Sequence, residues 1–260
     1  MAERRARRAQ PAWSQHFLRD SAVAAELVRL GGVSRGDLVI EVGAGDGAIT
    51  AELVRRAGYV VANEIDPALA RRLRGRFEGR APAAVVEGDA LRQRLPRLPF
   101  RVVSNVPFAE TTGLLRLLLD DPRSSLEQAA LLLQWEVARK RARERPSTLL
   151  GLSWAPWWEL TLVRRVPATA FSPPPSVDGG ILVVHRRTPP LLARAEASRY
   201  RALLRTGFSR GMRSLVTPRQ ARRLGLAPRP APTALGIEEW LTVYRFLRGG
   251  GSEQPVEQDP

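Results

Sequence analysis

The chain has no cysteine, two histidines and a single lysine, Lys140, in 260 residues. The absent thiols exclude disulfides, thiolate metal sites and a cysteine nucleophile. Two histidines are too few for a histidine-rich metal centre, so no metal is expected. Long apolar runs are also absent: no stretch approaches the ~20 residues that a membrane span needs. Arg4, Arg5, Arg7 and Arg8 have no apolar core behind them, which is not the pattern of a secretory signal. The chain is expected to work in the cytoplasm, as a monomer, with no membrane partner.

Positive charge, by contrast, is in excess. The formal net charge is +15, from 41 Lys and Arg against 26 Asp and Glu. GC-rich codon usage accounts for arginine in place of lysine, but not for the surplus of cations. A surplus of this size favours a polyanionic partner. The arginine fork suits phosphates and stacks on bases. Hydrophobic content of 44% is ordinary for a globular protein, and the length admits one large core with a smaller appendage.

Strand-like and helix-like runs alternate along most of the chain. Residues 19–31 have helical apolar spacing, with Asp20 or Ser21 as N-cap. Strands are expected at Leu38–Val42, Tyr59–Glu64, Ala83–Glu87, Phe100–Ser104 and Leu126–Leu133. Helices are expected at Ala48–Ala57, Pro67–Phe77 and Thr111–Leu119. Two late strands, Trp157–Val166 and Gly179–His185, are expected to pair antiparallel at a sheet edge. The alternation argues an α/β fold built on a parallel, doubly wound sheet. After Thr188-Pro189-Pro190 only helical patterns remain, at Ala193–Met212, Pro218–Leu224 and Ile237–Leu247, with an arginine-rich outer face. The expected organisation is a flexible basic arm over 1–12, a main domain over 13–187, a small all-helical domain over 188–248 and a disordered tail over 249–260. Trp154, Trp157 and Trp158 are expected to pack inside the protein, His185 to be structural, and Glu136–Arg145 to be a solvated helix end or loop.

Asn105-Val106-Pro107-Phe108 follows the fourth expected strand. Asn105 offers an amide oxygen and two N–H donors. Pro107 keeps Val106 out of the helical region and holds its carbonyl in an extended pose. Phe108 adds a flat apolar face. Together they suit a planar ring carrying an exocyclic amino group, such as adenine. The alternative is a strand-to-turn junction at which Asn105 caps the next helix.

Three more strand ends carry suggestive residues. Glu41-Val42-Gly43-Ala44-Gly45-Asp46-Gly47 follows the first strand, and its glycines permit a tight turn and a close ligand approach. The spacing is not that of the dinucleotide fingerprint. Glu41 and Asp46 would repel a pyrophosphate but tolerate a cationic ligand such as S-adenosylmethionine. Glu64, ending the second strand, can accept from ribose hydroxyls. Asp89, after the third, can accept from an adenine amino group. Each residue taken singly is equally well explained as a turn or cap.

In family order, the chain carries Gln15-His16-Phe17-Leu18, the Glu41–Gly47 loop, Glu64-Ile65-Asp66, Gly88-Asp89-Ala90, Asn105-Val106-Pro107-Phe108 and Phe171-Ser172-Pro173-Pro174-Pro175-Ser176-Val177-Asp178. This set resembles the rRNA adenine N6-methyltransferases, namely the Erm macrolide-resistance enzymes and the related small-subunit rRNA adenine dimethyltransferases. The resemblance covers roughly residues 13–187 and implies a Rossmann-like S-adenosyl-L-methionine methyltransferase sheet with a helical RNA-binding domain. By it, Gln15, His16 and Leu18 hold the methionine part of the cofactor, and Gly43 and Gly45 lie against it. Glu64 binds the ribose, and Asp89 with Ala90 borders the adenine. Asn105 serves cofactor and target base alike. Phe108 stacks on the target and Phe171 closes its other face.

The family usually has Asn where this chain has His16, so the contact changes if the side chain is used and survives if the backbone is. The Asn-x-Pro-Phe ending and the arginine-rich arm fit the Erm branch, whereas the proline-rich Phe171 segment is closer to the small-subunit branch. On balance the resemblance favours Erm, hence an adenine in large-subunit rRNA, modified before full assembly. Methylation of small-subunit rRNA is the alternative. A nucleic-acid-binding protein of the same fold without activity is disfavoured by the intact Glu64, Asp89 and Asn105. No base is placed to deprotonate the adenine amine, so the Asn105 oxygen and the Val106 carbonyl are expected to hold its two N–H groups.

Overall fold

A computed structural model describes residues 16–79, 81–143 and 146–249. The expected arm over 1–12, Gln15 and all of the expected tail beyond Gly249 lie outside the described residues. Short β1 (Phe17–Leu18) leads into α1 (Ser21–Leu30). The Asp20 carboxylate caps that helix by accepting from the Ala22 and Val23 N–H groups. Val23, Ala24, Leu27 and Val28 form its buried face. The alternation then runs β2 (Leu38–Val42), α2 (Ala48–Leu53), β3 (Tyr59–Glu64), α3 (Pro67–Phe77), β4 (Ala83–Glu87), β5 (Phe100–Asn105), α4 (Thr111–Leu119) and β6 (Leu126–Gln134). Helix α2 is shorter than its pattern predicts. Its chain tightens after Leu53, whose carbonyl takes the N–H groups of both Arg56 and Ala57.

Beyond β6 come α5 (Trp135–Arg141), α6 (Leu149–Trp154), β7 (Trp158–Val166), β8 (Phe171–Ser172) and β9 (Gly179–Arg186). Seven strands form one sheet in the order β4-β3-β2-β5-β6-β9-β7. The β2–β3, β2–β5, β3–β4 and β5–β6 pairs are parallel. The two late strands, β9 and β7, are neighbours at one end of the sheet as expected, with β9 next to β6 and β7 at the edge. The chain order reverses between β3–β2 and β5–β6. Such a switch point opens a crevice at the carboxyl ends of the strands. The proline-rich segment holds an unexpected strand: Phe17 pairs with Ser172 and Leu18 with Phe171, antiparallel, in a separate two-stranded ribbon. The core packs α1, α2 and α3 against the sheet through Leu27, Val28, Leu53, Val60, Leu73 and Val103.

The chain divides into two compact units. The first holds the described residues up to Leu118, Ser125–Arg139 and Leu162–Val184. The second holds Leu119–Ser124, Lys140–Thr161 and the described residues from His185 on. It contains α6, α7 (Ala197–Arg210), α8 (Pro218–Arg223) and α9 (Ile237–Arg248). Trp154, Trp157 and Trp158 are fully buried in it, as their apolar neighbours predict. Their indole N–H groups donate to Asp120 Oδ1, the Leu192 carbonyl and the Leu119 carbonyl. Gly207 lets the Trp240 ring lie against α7. The long helix expected over Ala193–Met212 is interrupted. Gly211, at φ 79° and ψ 163°, stops α7 and starts a short 3-10 turn over Met212–Ser214. No helix among the described residues is long and apolar enough to cross a membrane.

Gly47 has φ +84°, and a Cβ there would stand 2.9 Å from Leu73 and from Phe77. We predict that Gly47→Ala destabilises the fold by about 1–2 kcal/mol for the left-handed backbone and by a further ~1–3 kcal/mol for overpacking. Gly75, in the last turn of α3 with open space around it, should behave oppositely, gaining up to about 0.5–1 kcal/mol as alanine. Urea midpoints at constant slope test both; equal midpoints for the two variants would refute the argument.

Candidate active site

Four segments meet at the carboxyl ends of β2, β3, β4 and β5. The loop after β2 turns through three left-handed glycines, Gly43 (φ +68°), Gly45 (φ +59°) and Gly47 (φ +84°). These angles carry a steric penalty for any other residue. They also allow contact: a Cβ on Gly43 would stand 3.1 Å from Pro107, and one on Gly45 3.1 Å from Phe17. Ser104, fully buried, donates its hydroxyl to the Val42 carbonyl at 2.5 Å, tying the end of β5 to the end of β2. The glycine loop, the Phe17 strand and the Asn105–Phe108 corner are thus one packed assembly.

Asn105 does not cap a helix. Its Nδ2 donates to the backbone carbonyl of His16 at 3.0 Å. Among the described residues its Oδ1 accepts nothing, so the amide is oriented with its acceptor end unspent. Val106 is buried, and its N–H donates to the Leu132 carbonyl at 3.0 Å, which pins the chain one residue past the strand. Pro107 is exposed and extended, at φ −53° and ψ 130°. Phe108 is half-buried, and the His16 ring lies 5.9 Å from it, tilted by 38°. The His16 Nδ1 is 2.8 Å from the Pro173 carbonyl. His16 therefore works at both ends: its backbone holds Asn105 and its ring spans Phe108 and Pro173.

Phe171 is placed differently from the role given to it above. It is 3% exposed and belongs to the hydrophobic core, with its ring edge near Gly179. It offers no free ring face, because β8 turns it inward opposite Leu18. The second ring beside Phe108 is His16. Leu18 is likewise buried in the core and supports β1 from beneath.

Glu64 is 2% exposed, and its two oxygens accept from the Gly45 and Asp66 N–H groups at 2.8 and 2.9 Å. Each oxygen keeps one acceptor site. Asp89 accepts from the Leu91 N–H at 2.9 Å and meets Arg92 at 3.2 Å in an exposed pair; it and Ala90 are half-buried. Before them Gly88 has φ +126°, with no heavy atom within 4 Å of the place a Cβ would occupy.

Glu41 does not bring the negative charge expected of it. It is 1% exposed, and loss of water pushes its carboxyl up to about 8, with Glu64 and Asp46 adding repulsion; the Thr50 hydroxyl, 2.6 Å away, opposes the shift. At neutral pH it is mostly a neutral acid. Asp46 faces Arg19 at 3.1 Å. Asn63 escaped the reading of the sequence. It is 3% exposed; its Nδ2 donates to the Val86 and Gly88 carbonyls, and its own carbonyl accepts from Ala44. It ties the β2 loop to the β4 loop. A polar residue directly after the apolar run Tyr59–Ala62, still within the strand, was the available signal.

A protein-family model described as ribosomal RNA adenine dimethylase matches residues 6–223. The chain is 41% identical over 249 residues to the mycinamicin-resistance protein MyrB of Micromonospora griseorubida, covering 92% of this chain and 79% of that one. It is 39% identical over 256 residues to an rRNA adenine N-6-methyltransferase of Streptomyces fradiae, covering 93% and 79%. Among solved structures, the 23S rRNA methyltransferase ErmE superposes with a TM-score of 0.77 at 30% identity, over 89% of this chain and 99% of that one. A Plasmodium falciparum dimethyladenosine transferase superposes with a TM-score of 0.75 at 20% identity, over 90% and 98%, a likeness of fold.

Below pH 4.5 Glu41 is protonated whether the chain is folded or not, and its contribution to stability is complete. As pH rises from there towards 8 the unfolded chain releases the proton and the folded one retains it, so stability falls; above 8 the loss levels off. Glu41→Gln keeps an acceptor for Thr50 and removes this slope. Melting temperatures of the two proteins, taken from pH 5 to pH 8, should converge as pH falls and separate as it rises in favour of the variant. Parallel profiles would show that Glu41 is charged throughout.

Proposed function

The chain belongs to the ribosomal RNA adenine dimethylase family and is an rRNA adenine N6-methyltransferase; from there we propose that it methylates N6 of one adenine in 23S rRNA, using S-adenosylmethionine, and so confers resistance to macrolide, lincosamide and streptogramin B drugs. The observation that carries the chemistry is Asn105, held by His16 with its oxygen unspent beside Phe108 at the switch point of the sheet. The choice of 23S rRNA and the resistance draw on the relatives named for them.

The residues present fit S-adenosylmethionine. Gly88 leaves an open cradle, Glu64 retains acceptor sites for ribose hydroxyls, and Asp89 can accept from an adenine amine. Gly43, Gly45, Ala90 and His16 are the remaining residues we assign to this ligand, with Gln15 preceding them and Leu18 supporting them from the core. When bound, the cofactor supplies an electrophilic methyl group. The target amine is a poor nucleophile, because its lone pair is delocalised into the ring. The Asn105 oxygen and the Val106 carbonyl accept its two N–H groups, which favours a pyramidal nitrogen with its lone pair directed outward. Such positioning supplies up to ~7–11 kcal/mol in the best intramolecular cases. Phe108 stacks on the base and eases positive charge developing on it, by about 0.5–2 kcal/mol. The base must leave its stack to enter, at roughly a few kcal/mol.

We assign catalysis to residues 13–187 and RNA contact to the helical region over 188–248. The enzyme acts as a monomer on large-subunit RNA before assembly is complete, when the target is accessible. Primer extension on rRNA from cells expressing the protein, with a macrolide sensitivity test beside it, decides the matter. A stop at an adenine of 23S rRNA with reduced sensitivity is expected; a stop in 16S rRNA alone would overturn the reading.

Asn105→Ala should lower methyl transfer by ~10²-fold or more, while cofactor binding measured by calorimetry falls much less. Retained activity would remove the clamp. Phe108→Ala should lose more activity than Phe108→Tyr, which keeps the ring. Equal losses would rule out stacking.

A further inference from the structure

The second unit contains a cavity that methyl transfer leaves unused. Its volume is about 280 Å³, and it lies where α7 ends and the chain approaches α9. Arg210, Arg213 and Arg229 line it. All three are exposed, and among the described residues none has an acidic partner. Met212 and Val216, 3% and 4% exposed, give the same cavity an apolar lining. Pro228, Pro230 and Pro232 complete it. Prolines have a fixed φ and no N–H, so this wall is stiff and offers no donors. Gly211 stands among the arginines in a conformation essentially reserved for glycine. A Cβ there would meet nothing within 4 Å, so the bare backbone faces open space.

The lining makes two demands of a ligand. Three unpaired guanidinium groups call for anionic oxygens, and the fork geometry suits phosphate. The methionine, valine and proline surfaces call for a flat or apolar body, which a free phosphate lacks. An apolar metabolite would leave the cations without partners. A nucleotide in a single strand meets both demands, with its base on the apolar surface and its flanking phosphodiesters on the arginines. The volume falls just below the ~300–1,000 Å³ of sites for drug-sized ligands. One base fits this scale and a helix does not. We propose that this cavity is a second RNA subsite, taking one unstacked nucleotide of the rRNA other than the methylated adenine. The proposal rests on rRNA being the substrate.

The chain has two methionines, Met1 and Met212. Protein labelled with ¹³C at the methionine methyl groups therefore reports on the cavity through one of two signals. An unstructured RNA hexamer, oligouridylate, is titrated into the full-length protein. The Met212 signal is expected to move saturably, and inorganic phosphate at equal phosphate concentration is expected to leave it in place. The R213Q/R229Q protein should lose the shift while its free Met212 signal keeps its position, which reports an intact fold. Its slope of log affinity against log salt should drop by about 1.4, from ~0.7 per single-strand phosphate contact. The R219Q/R222Q protein loses the same charge on α8, outside the cavity, and should retain the shift. Three results would each overturn the subsite: hexamer binding without a Met212 shift, an equal shift with phosphate alone, or equal losses in the two double variants. None of these readouts involves methyl transfer. A failure of the cavity is thus distinct from a failure of 23S rRNA methylation, which primer extension reads.

Discussion

The hydrogen bond from the Asn105 amide to the His16 carbonyl sets the polarity of the site. A carboxamide has a donor end and an acceptor end, and a carbonyl can engage only the donor. Binding that end to main chain leaves the oxygen free to accept. An aspartate at this position would set two acceptors against each other, and an alanine would leave the His16 carbonyl unpaired. Around the bond, Ser104 fastens β5 to β2 and the Val106 N–H fastens the corner to β6, so the clamp stands on three strands rather than on a loop.

The glycine loop makes this close assembly possible. Gly43 and Gly45 let main chain pass within contact of Pro107 and Phe17, where a side chain would hold the segments apart. The electrostatics are milder than the count of acidic residues implies. Glu41 is buried and neutral for most of the physiological range, and Asp46 is neutralised by Arg19. Glu64 is then the carboxyl group that main-chain N–H groups hold in place, and its two bonds couple the loop after β2 to the start of α3.

Much of this was legible in the residues. Apolar runs bounded by glycine and proline fix the strands, and Asp20, Asp66 and Pro67 fix two helix starts, because these signals are local. The motif residues at the ends of β2, β3, β4 and β5 converge because a parallel sheet places all its carboxyl ends along one edge. What the sequence concealed depends on contacts distant in the chain. The pairing of Phe17 with Ser172 has no local signature, so the inward turn of Phe171 could not be read. The order of β9 and β7 is a matter of topology and not of pattern. The interruption of α7 was foreshadowed by Gly211, but a glycine within a helical pattern is not by itself a stop signal.

His16 and Pro173 are 157 positions apart, and Asn105 lies between them in sequence. Contacts of such separation are costly to close and form late relative to local ones. During synthesis, the corner at Asn105 emerges long before the segment that steadies the His16 ring. A growing chain can thus complete most of its sheet while the corner at Asn105 still lacks its neighbours, and the His16 ring finds its partner only once the proline-rich stretch has been translated.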